Sequence, residues 1–355
     1  MTTNTDRLIV ETSKTSKIDQ VDFGKLNFGR VFTDHMFVCD YKDGKWQTPT
    51  IKPYGPMTIE PSARVFHYGQ AVFEGMKAYK DDDGNIFLFR PEANLERINR
   101  SAARLAMPEF PKDDFFKGLV ALLKLDNKWI KPGVGNSLYI RPFVIATEPA
   151  ISASPAQTYR FMIICSPAQS YYNTPVRVLF AEKYSRASNG GVGFAKAAGN
   201  YAAQFYPTSL AQKDGFQQII WTDANTHKYL EEAGTMNVFF RVNDKLITAP
   251  TNDRILDGVT RKSVIQLAKD LGIDCEVRQV SVEEIKNAAR DGSLKEIFGV
   301  GTAAVISPVS AFQHAEELFE ISEIEGSYGQ LFKQTLLNIQ HNLAEDKHGW
   351  RYEVR

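Results

Sequence analysis

One lysine on this chain is surrounded almost entirely by very small residues. The segment Gly190-Gly191-Val192-Gly193-Phe194-Ala195-Lys196-Ala197-Ala198-Gly199-Asn200-Tyr201 flanks Lys196 with glycine and alanine. Small neighbours let a bulky ligand approach the backbone, and partial desolvation lowers an amine's pKa toward the range of a nucleophile or general base. Two phosphate-loop patterns fail here. A Walker loop needs glycine directly before the lysine and Ser or Thr directly after it, where this chain has Ala195 and Ala197. A dinucleotide fingerprint needs a third glycine that Gly191-x-Gly193 lacks at the required offset. The segment by itself leaves two readings open, a reactive lysine and a solvated lysine in a flexible loop.

Other patterns fit the recognition of anions. Leu256-Asp257-Gly258-Val259-Thr260-Arg261 sets a glycine turn at the start of a helix, where unpaired N–H groups and the positive dipole end attract negative charge. Phe298-Gly299-Val300-Gly301-Thr302-Ala303-Ala304 runs a strand into a glycine turn whose N–H groups suit a phosphate or carboxylate. Arg97, Arg100 and Arg104 recur along one helix, and Tyr139 and Arg141 share one face of a strand. The guanidinium fork bonds phosphate and carboxylate bidentately. Taken singly, these patterns read as a capped helix, a tight turn and solvated arginines, although Arg141 in its apolar setting needs an anionic partner. Leu230-Glu231-Glu232-Ala233-Gly234-Thr235-Met236-Asn237 adds paired carboxylates before a strand. Adjacent acids on a strand point to opposite faces, so at most one faces a site while the other meets solvent.

The elements that must carry these residues can be read from turns and periodicity. Asp43-Gly44 and Asp83-Gly84 separate β-rich runs as hairpin signals. Pro91 opens an amphipathic helix with Leu95, Ile98, Ala102 and Leu105 on its apolar stripe, and a second helix covers about 113 to 125. Strands are expected at Leu138-Tyr139-Ile140 and over Tyr159 to Ile164. Turn formers between about 166 and 176 mark an interdomain linker. Beyond it, strands at Gln217 to Thr222, Met236 to Val242 and Glu296 to Val300 alternate with helices at Arg261 to Leu271 and Ser281 to Ala289, before a long helix near 327 to 343.

Composition bounds the function. The 355 residues carry 42 Lys+Arg against 42 Asp+Glu, so the bulk cationic excess of a nucleic-acid binder is missing. With 43% hydrophobic and 12% aromatic residues the chain has ample surface to bury, and its length fits about two domains. Its apolar runs are strand-sized, short of the roughly 20 residues that span a bilayer. The acidic residues Asp6, Glu11 and Asp19 argue against a targeting peptide, and the first twenty residues read as a frayed polar arm. Cys39, Cys165 and Cys275 are odd in number and widely spaced, which suits a reducing cytoplasm, with no disulfide framework and no metal site expected.

In order and spacing, the motifs resemble those of the branched-chain amino acid aminotransferases, fold-type IV pyridoxal phosphate enzymes. The resemblance runs from Phe28-Gly29-Arg30-Val31-Phe32-Thr33-Asp34-His35-Met36 through Phe73-Glu74-Gly75-Met76-Lys77-Ala78-Tyr79 and Leu88-Phe89-Arg90-Pro91. It continues through Lys196-Ala197-Ala198-Gly199-Asn200-Tyr201, Glu232-Ala233-Gly234-Thr235-Met236-Asn237 and Gly258-Val259-Thr260-Arg261 to Gly301-Thr302-Ala303-Ala304. It implies an α/β (α+β) fold of two domains: a smaller N-terminal domain over 1–165, a linker over 166–176 and a larger domain over 177–355 that binds pyridoxal 5'-phosphate, with the cofactor expected between the two. The implied activity is a reversible ping-pong transfer of the amino group between leucine, isoleucine or valine and 2-oxoglutarate, by a cytoplasmic homodimer that needs neither nucleic acid nor membrane.

The same resemblance assigns residues. Lys196 would bond the cofactor through its amine and move the proton at the substrate Cα. Glu232 would meet the pyridine nitrogen and Tyr201 the cofactor O3′. Arg97, Thr302 and the backbone of Val259 and Thr260 would hold the phosphate. Phe28, Tyr68, Phe73, Tyr139 and Thr235 would line the substrate pocket, with Tyr68 and the Ile151 loop supplied by the neighbouring subunit. Thr302 and Ala303 would offer N–H groups to the α-carboxylate, and Arg141 with Tyr68 and Tyr139 would receive the second carboxylate of glutamate. Ala304 and Ser307 stand where some members carry a Cys-x-x-Cys redox pair, so regulation through that pair is excluded. Asp257 replaces a proline common in the family, and spacing favours Glu232 over Glu231 as the pyridine partner. Two alternatives are a D-amino acid transaminase or aminodeoxychorismate lyase of the same fold, disfavoured by the Phe73 to Tyr79 segment, and a phospho-ligand binding module, which needs neither Lys196 nor Glu232.

Overall fold

The computed structural model describes residues 8–169 and 174–355. It resolves into two compact units, each built on a ten-stranded sheet. The first unit takes the described residues up to 169 together with 195–198 and 337–355, and the second takes 174–194 and 199–336. Both units are therefore discontinuous in sequence, unlike the uninterrupted segments expected. The physical reason lies in strand pairing: Arg351–Glu353 lies antiparallel to Ile86–Phe89 and so adds a late strand to the first sheet.

The first sheet is centred on Ser137–Ala146 and Tyr159–Ala168, antiparallel in unbroken register from Ser137 opposite Ala168 to Ala146 opposite Tyr159. His35–Lys42 pairs with the outer side of Tyr159–Ala168, and Met76–Lys80 with the outer side of Ser137–Ala146. Because this ladder runs to Ala168, residues 166–168 of the expected linker are strand, and 170–173 lie outside the described residues. The expected frayed arm is partly ordered too: Ile9–Val10 pairs in parallel with Thr50–Pro53. The Asp43-Gly44 turn matches expectation. Its two residues have φ of 53° and 72°, the left-handed pair that a two-residue hairpin turn requires.

Two helices of this unit are informative. Pro91–Arg104 buries Leu95, Ile98 and Ala102 as expected, but Asn94, Arg97 and Ser101 are buried beside them, giving the helix a second, polar buried stripe. Arg100 and Arg104 are exposed and leave Arg97 the buried arginine of the three. Lys112–Leu125 lies against His35–Lys42, with Gly118 facing Phe37, whose side chain is fully buried among Phe110, Phe115 and Phe161.

In the second unit, Val176–Phe180 pairs in parallel with both Gln218–Thr222 and Val305–His314; the latter pairs antiparallel with Leu294–Gly301, which in turn pairs antiparallel with Asn237–Val242. The helices Val259–Asp270 and Val282–Arg290 match the sequence expectations to within a few residues. The helix Tyr328–Gln340 carries the chain back toward the residues of the first unit.

Gly118 yields a prediction whose sign opposes helix propensity. Alanine in place of a helical glycine ordinarily gains about 1 kcal/mol. Here the added methyl would overlap the Phe37 ring, and overpacking a rigid core costs about 1 to 3 kcal/mol. Gly118→Ala is therefore expected to lower the urea unfolding midpoint, and a rise in that midpoint would contradict this packing.

Candidate active site

Strand alternation assembles the first group of side chains. Tyr139 and Arg141, two residues apart on Ser137–Ala146, project from one face of the sheet. Phe73, paired opposite Phe143 on the same strand, falls on that face as well. The Arg141 guanidinium lies over the Phe73 ring at 4.7 Å and donates through Nη2 to the Tyr139 hydroxyl at 3.0 Å. Phe28 packs edge-on against Tyr139, with centroids 4.9 Å apart. Gly75 makes room for this, since a Cβ there would overlap the Tyr139 hydroxyl. The Arg141 Nε is buried without a hydrogen-bond partner among the described residues, a donor that an anion would satisfy.

Lys196 joins this group. Its Nζ sits 5.0 Å from the Phe73 centroid. Its main chain is held on both sides: the N–H donates to Ser101 Oγ at 2.9 Å, and the carbonyl accepts from the Phe73 N–H at 3.1 Å. Five residues picked from sequence, Phe28, Phe73, Tyr139, Arg141 and Lys196, thus share one neighbourhood in the first unit. Tyr68 is placed by another contact, its hydroxyl donating to the Ile151 carbonyl, and both side chains are solvent-facing at 46% and 71% exposure. Arg64 braces the loop that bears Ile151, reaching Ser152 Oγ at 2.9 Å and the Pro155 carbonyl at 2.7 Å.

Arg97 is held by a carboxylate that sequence reasoning did not assign. Its Nε and Nη2 engage the two oxygens of Glu74 at 2.5 and 3.0 Å. Asn94 Nδ2 donates to Glu74 Oε2 at 2.8 Å, and the Gly75 N–H donates to the same oxygen at 2.9 Å. Glu74 has no exposed surface. Burial pushes its carboxyl pKa up, but the Arg97 charge and hydrogen bond, the Lys196 charge and Asn94 together hold it below the ordinary range.

The second unit builds its group around Glu232, which is buried on Tyr229–Ala233. Arg186 Nη2 lies 2.5 Å from its Oε1, the Leu256 N–H donates to the same oxygen at 3.0 Å, and Asn237 Nδ2 donates to Oε2 at 2.9 Å. No local sequence pattern marks Arg186 or the Leu256 N–H as a donor to Glu232. Asn237 Nδ2 also donates to the Leu256 carbonyl at 3.0 Å, and a Cβ on Gly258 would overlap its Oδ1. Gly258 is the N-cap of Val259–Asp270 and leaves the first N–H groups without a side-chain cap. Val259 and Thr260, both buried, open that helix. The Thr235 carbonyl lies 3.3 Å from where a Gly301 Cβ would sit, so the turn bearing Thr302 and Ala303 runs close to Thr235. Tyr201 stands in the first turns of Ala198–Lys213, beside Asn200, which donates to the Val192 carbonyl at 2.8 Å.

Glu231 departs from the expectation of a solvent-facing acid. It is as buried as Glu232 because Arg254 pairs with it. Burial, the largest influence, leaves its carboxyl pKa raised despite that partner. Among the described residues no group of three or more His, Cys, Asp or Glu side chains is placed to hold a metal. No helix among them is long and apolar enough to cross a membrane.

Comparison with known proteins gives these groups a context. Residues 71–312 match the family model described as Amino-transferase class IV. The chain is 44% identical to branched-chain-amino-acid aminotransferase 2 of Bacillus subtilis (strain 168), over all of this chain and 98% of that one. Its fold is similar to that of a branched-chain aminotransferase from Thermoproteus uzoniensis solved with norvaline, with a TM-score of 0.75 at 26% identity, covering 90% of this chain and 100% of that one. A T.th. branched-chain amino acid aminotransferase complexed with N-(5'-phosphopyridoxyl)-L-glutamate shares the fold at 22% identity, with a TM-score of 0.72 over 89% of this chain and 98% of that one.

The buried Glu74–Arg97 pair generates a pH-dependent prediction. A carboxyl whose folded pKa lies below its unfolded value contributes stability above the unfolded pKa and loses it as pH falls through the folded pKa. Arg97→Ala strands the Glu74 charge, at a cost of about 3 to 5 kcal/mol near neutral pH. Its stability deficit against the wild type should shrink in acid, where Glu74 is protonated in both proteins. Urea unfolding at neutral and acidic pH measures this, and a deficit independent of pH would refute it.

Proposed function

The chain belongs to the class IV amino-transferase family, and we propose that it moves the amino group reversibly between leucine, isoleucine or valine and 2-oxoglutarate. It is a transaminase and a branched-chain-amino-acid aminotransferase. The observation that carries the substrate reading is the group of Phe28, Phe73, Tyr139 and Arg141 beside Lys196. Three aromatic rings give an aliphatic side chain an apolar wall. The Arg141 guanidinium, whose buried Nε has no hydrogen-bond partner among the described residues, gives the second carboxylate of glutamate a cation. One pocket can thereby accept both substrates of a ping-pong cycle.

The residues fit pyridoxal 5'-phosphate by the chemistry of their donors. A primary amine, a buried carboxylate that accepts from several donors and an uncapped helix start behind Gly258 correspond to an aldehyde, a protonated ring nitrogen and a phosphate. When bound, the cofactor supplies an electron sink for the pair left at the substrate Cα. Lys196 would bond it and afterwards hold and return the proton at that Cα. Glu232, kept in place by Arg186, Asn237 and the Leu256 N–H, would face the ring nitrogen, and Tyr201 would donate to O3′. The N–H groups of Val259 and Thr260, the Thr302 hydroxyl and Arg97 would grip the phosphate. Glu74 engages Nε and Nη2 of Arg97 and so fixes the plane of that guanidinium. Thr235 would close the side-chain pocket, and the N–H groups of Thr302 and Ala303 would orient the α-carboxylate.

We read the enzyme as a cytoplasmic homodimer. The exposed Tyr68 and Ile151 are apolar surface suited to a partner subunit, whose pocket Tyr68 would complete. Cys39, Cys165 and Cys275 are unpaired thiols, as a reducing cytoplasm maintains.

The purified holoenzyme should be yellow, borohydride should fix the cofactor on Lys196, and Lys196→Ala should lose transamination. A colourless protein, or a Lys196→Ala variant working at the wild-type rate, would defeat the reading. L-leucine should be turned over in preference to D-alanine, with 2-oxoglutarate as acceptor. For Arg141→Ala, kcat/KM with glutamate should fall at least about tenfold further than with leucine, reflecting loss of a charge-assisted contact. Equal losses would remove the role given to Arg141.

A further inference from the structure

Ser101 has no part in the roles given above, yet it touches the lysine. It lies on the inner polar stripe of Pro91–Arg104 and is 1% exposed. Its hydroxyl donates to the Arg97 carbonyl one turn back at 2.8 Å and accepts the Lys196 N–H at 2.9 Å. The first bond is common for a helical serine and would by itself be only local back-bonding. The second joins residues far apart in sequence and ends on the main chain of the residue proposed to carry the chemistry.

These bonds close a circuit. Asn94 and Arg97 tie the helix to Glu74, Ser101 ties it to the Lys196 N–H, and the Phe73 N–H returns from the residue before Glu74 to the Lys196 carbonyl. The Lys196 peptide is therefore located from both sides by groups of the same unit. We propose that Ser101 is a positioning residue for Lys196: it sets where the lysine Cα stands and hence where the amine reaches. This rests on Lys196 being the cofactor-bonding lysine. A hydroxyl is needed there because alanine, the better helix former, offers no acceptor to the Lys196 N–H.

The test compares holoenzymes of the wild type, Ser101→Ala, Ser101→Thr and Ser101→Val. Thr and Val have the same shape, so the cost of an extra methyl cancels between them and only the hydroxyl differs. Ser101→Ala and Ser101→Val should lose about 10- to 100-fold in kcat, the scale of a displacement of up to 1 Å, with KM for leucine within about twofold of wild type. The pH midpoint of the visible band of the lysine-bound cofactor should also move in both. Ser101→Thr should restore kcat and midpoint toward wild type. The proposal is overturned if Ser101→Ala keeps the wild-type kcat and midpoint, or if Thr and Val behave alike, which would leave only packing. If Ser101→Ala does not fold, the Thr and Val pair decides alone. Borohydride labelling separates the two levels. Wild type unlabelled at Lys196 removes the lysine assignment and this proposal with it, whereas labelled wild type with unaltered variants removes this proposal alone.

Discussion

A carboxylate without solvent must be answered by positive charge and hydrogen-bond donors, and Glu74 imposes that requirement on the first unit. Its two oxygens are met by Arg97, Asn94 and the Gly75 N–H. To supply those donors, Pro91–Arg104 must turn a polar stripe inward beside its apolar one. That stripe is then rich enough in buried donors and acceptors to hold the Lys196 segment through Ser101. Leaving such a charge unpaired costs several kcal/mol, so the donors on this stripe cannot be removed cheaply.

The second unit solves a similar problem twice. Glu231 and Glu232 are adjacent and both buried, and each has its own arginine, Arg254 and Arg186 respectively. Alternation along the strand sends the two acids to opposite faces, as expected, but neither face is open to water. The equality of 42 basic and 42 acidic residues thus includes buried one-to-one pairings as well as solvated charge.

What was legible in the sequence was local or periodic. The Asp43-Gly44 turn, the apolar stripe of Leu95, Ile98 and Ala102, and the shared face of Tyr139 and Arg141 follow from spacing of a few residues, and each is found as expected. The pairing of Arg97 with Glu74 was hidden because its partners stand 23 residues apart, and nothing in either segment names the other. The same holds for Arg186 and Glu232 and for Ser101 with Lys196. Pro167 reads locally as a breaker, whereas Tyr159–Ala168 extends through it as long as Ser137–Ala146 offers a partner. Gly258 reads in the sequence as a turn glycine. Its tighter constraint, the oxygen of Asn237 where a Cβ would lie, is a tertiary fact.

The discontinuity of the first unit also bears on how the chain matures. Its sheet includes Arg351–Glu353, and the unit also includes residues 195–198, both separated from the rest by parts of the second unit. On a ribosome, which delivers residues in order, the early strands can form a ladder while the lysine segment and the edge strand are still unsynthesised. The first unit reaches its full sheet only after residues 199–336 have emerged. Its completion is thus coupled in time to synthesis of the second unit, and until then the outer edge of Ile86–Phe89, whose inner edge pairs with Met76–Lys80, is an open sheet edge of the kind that invites wrong partners.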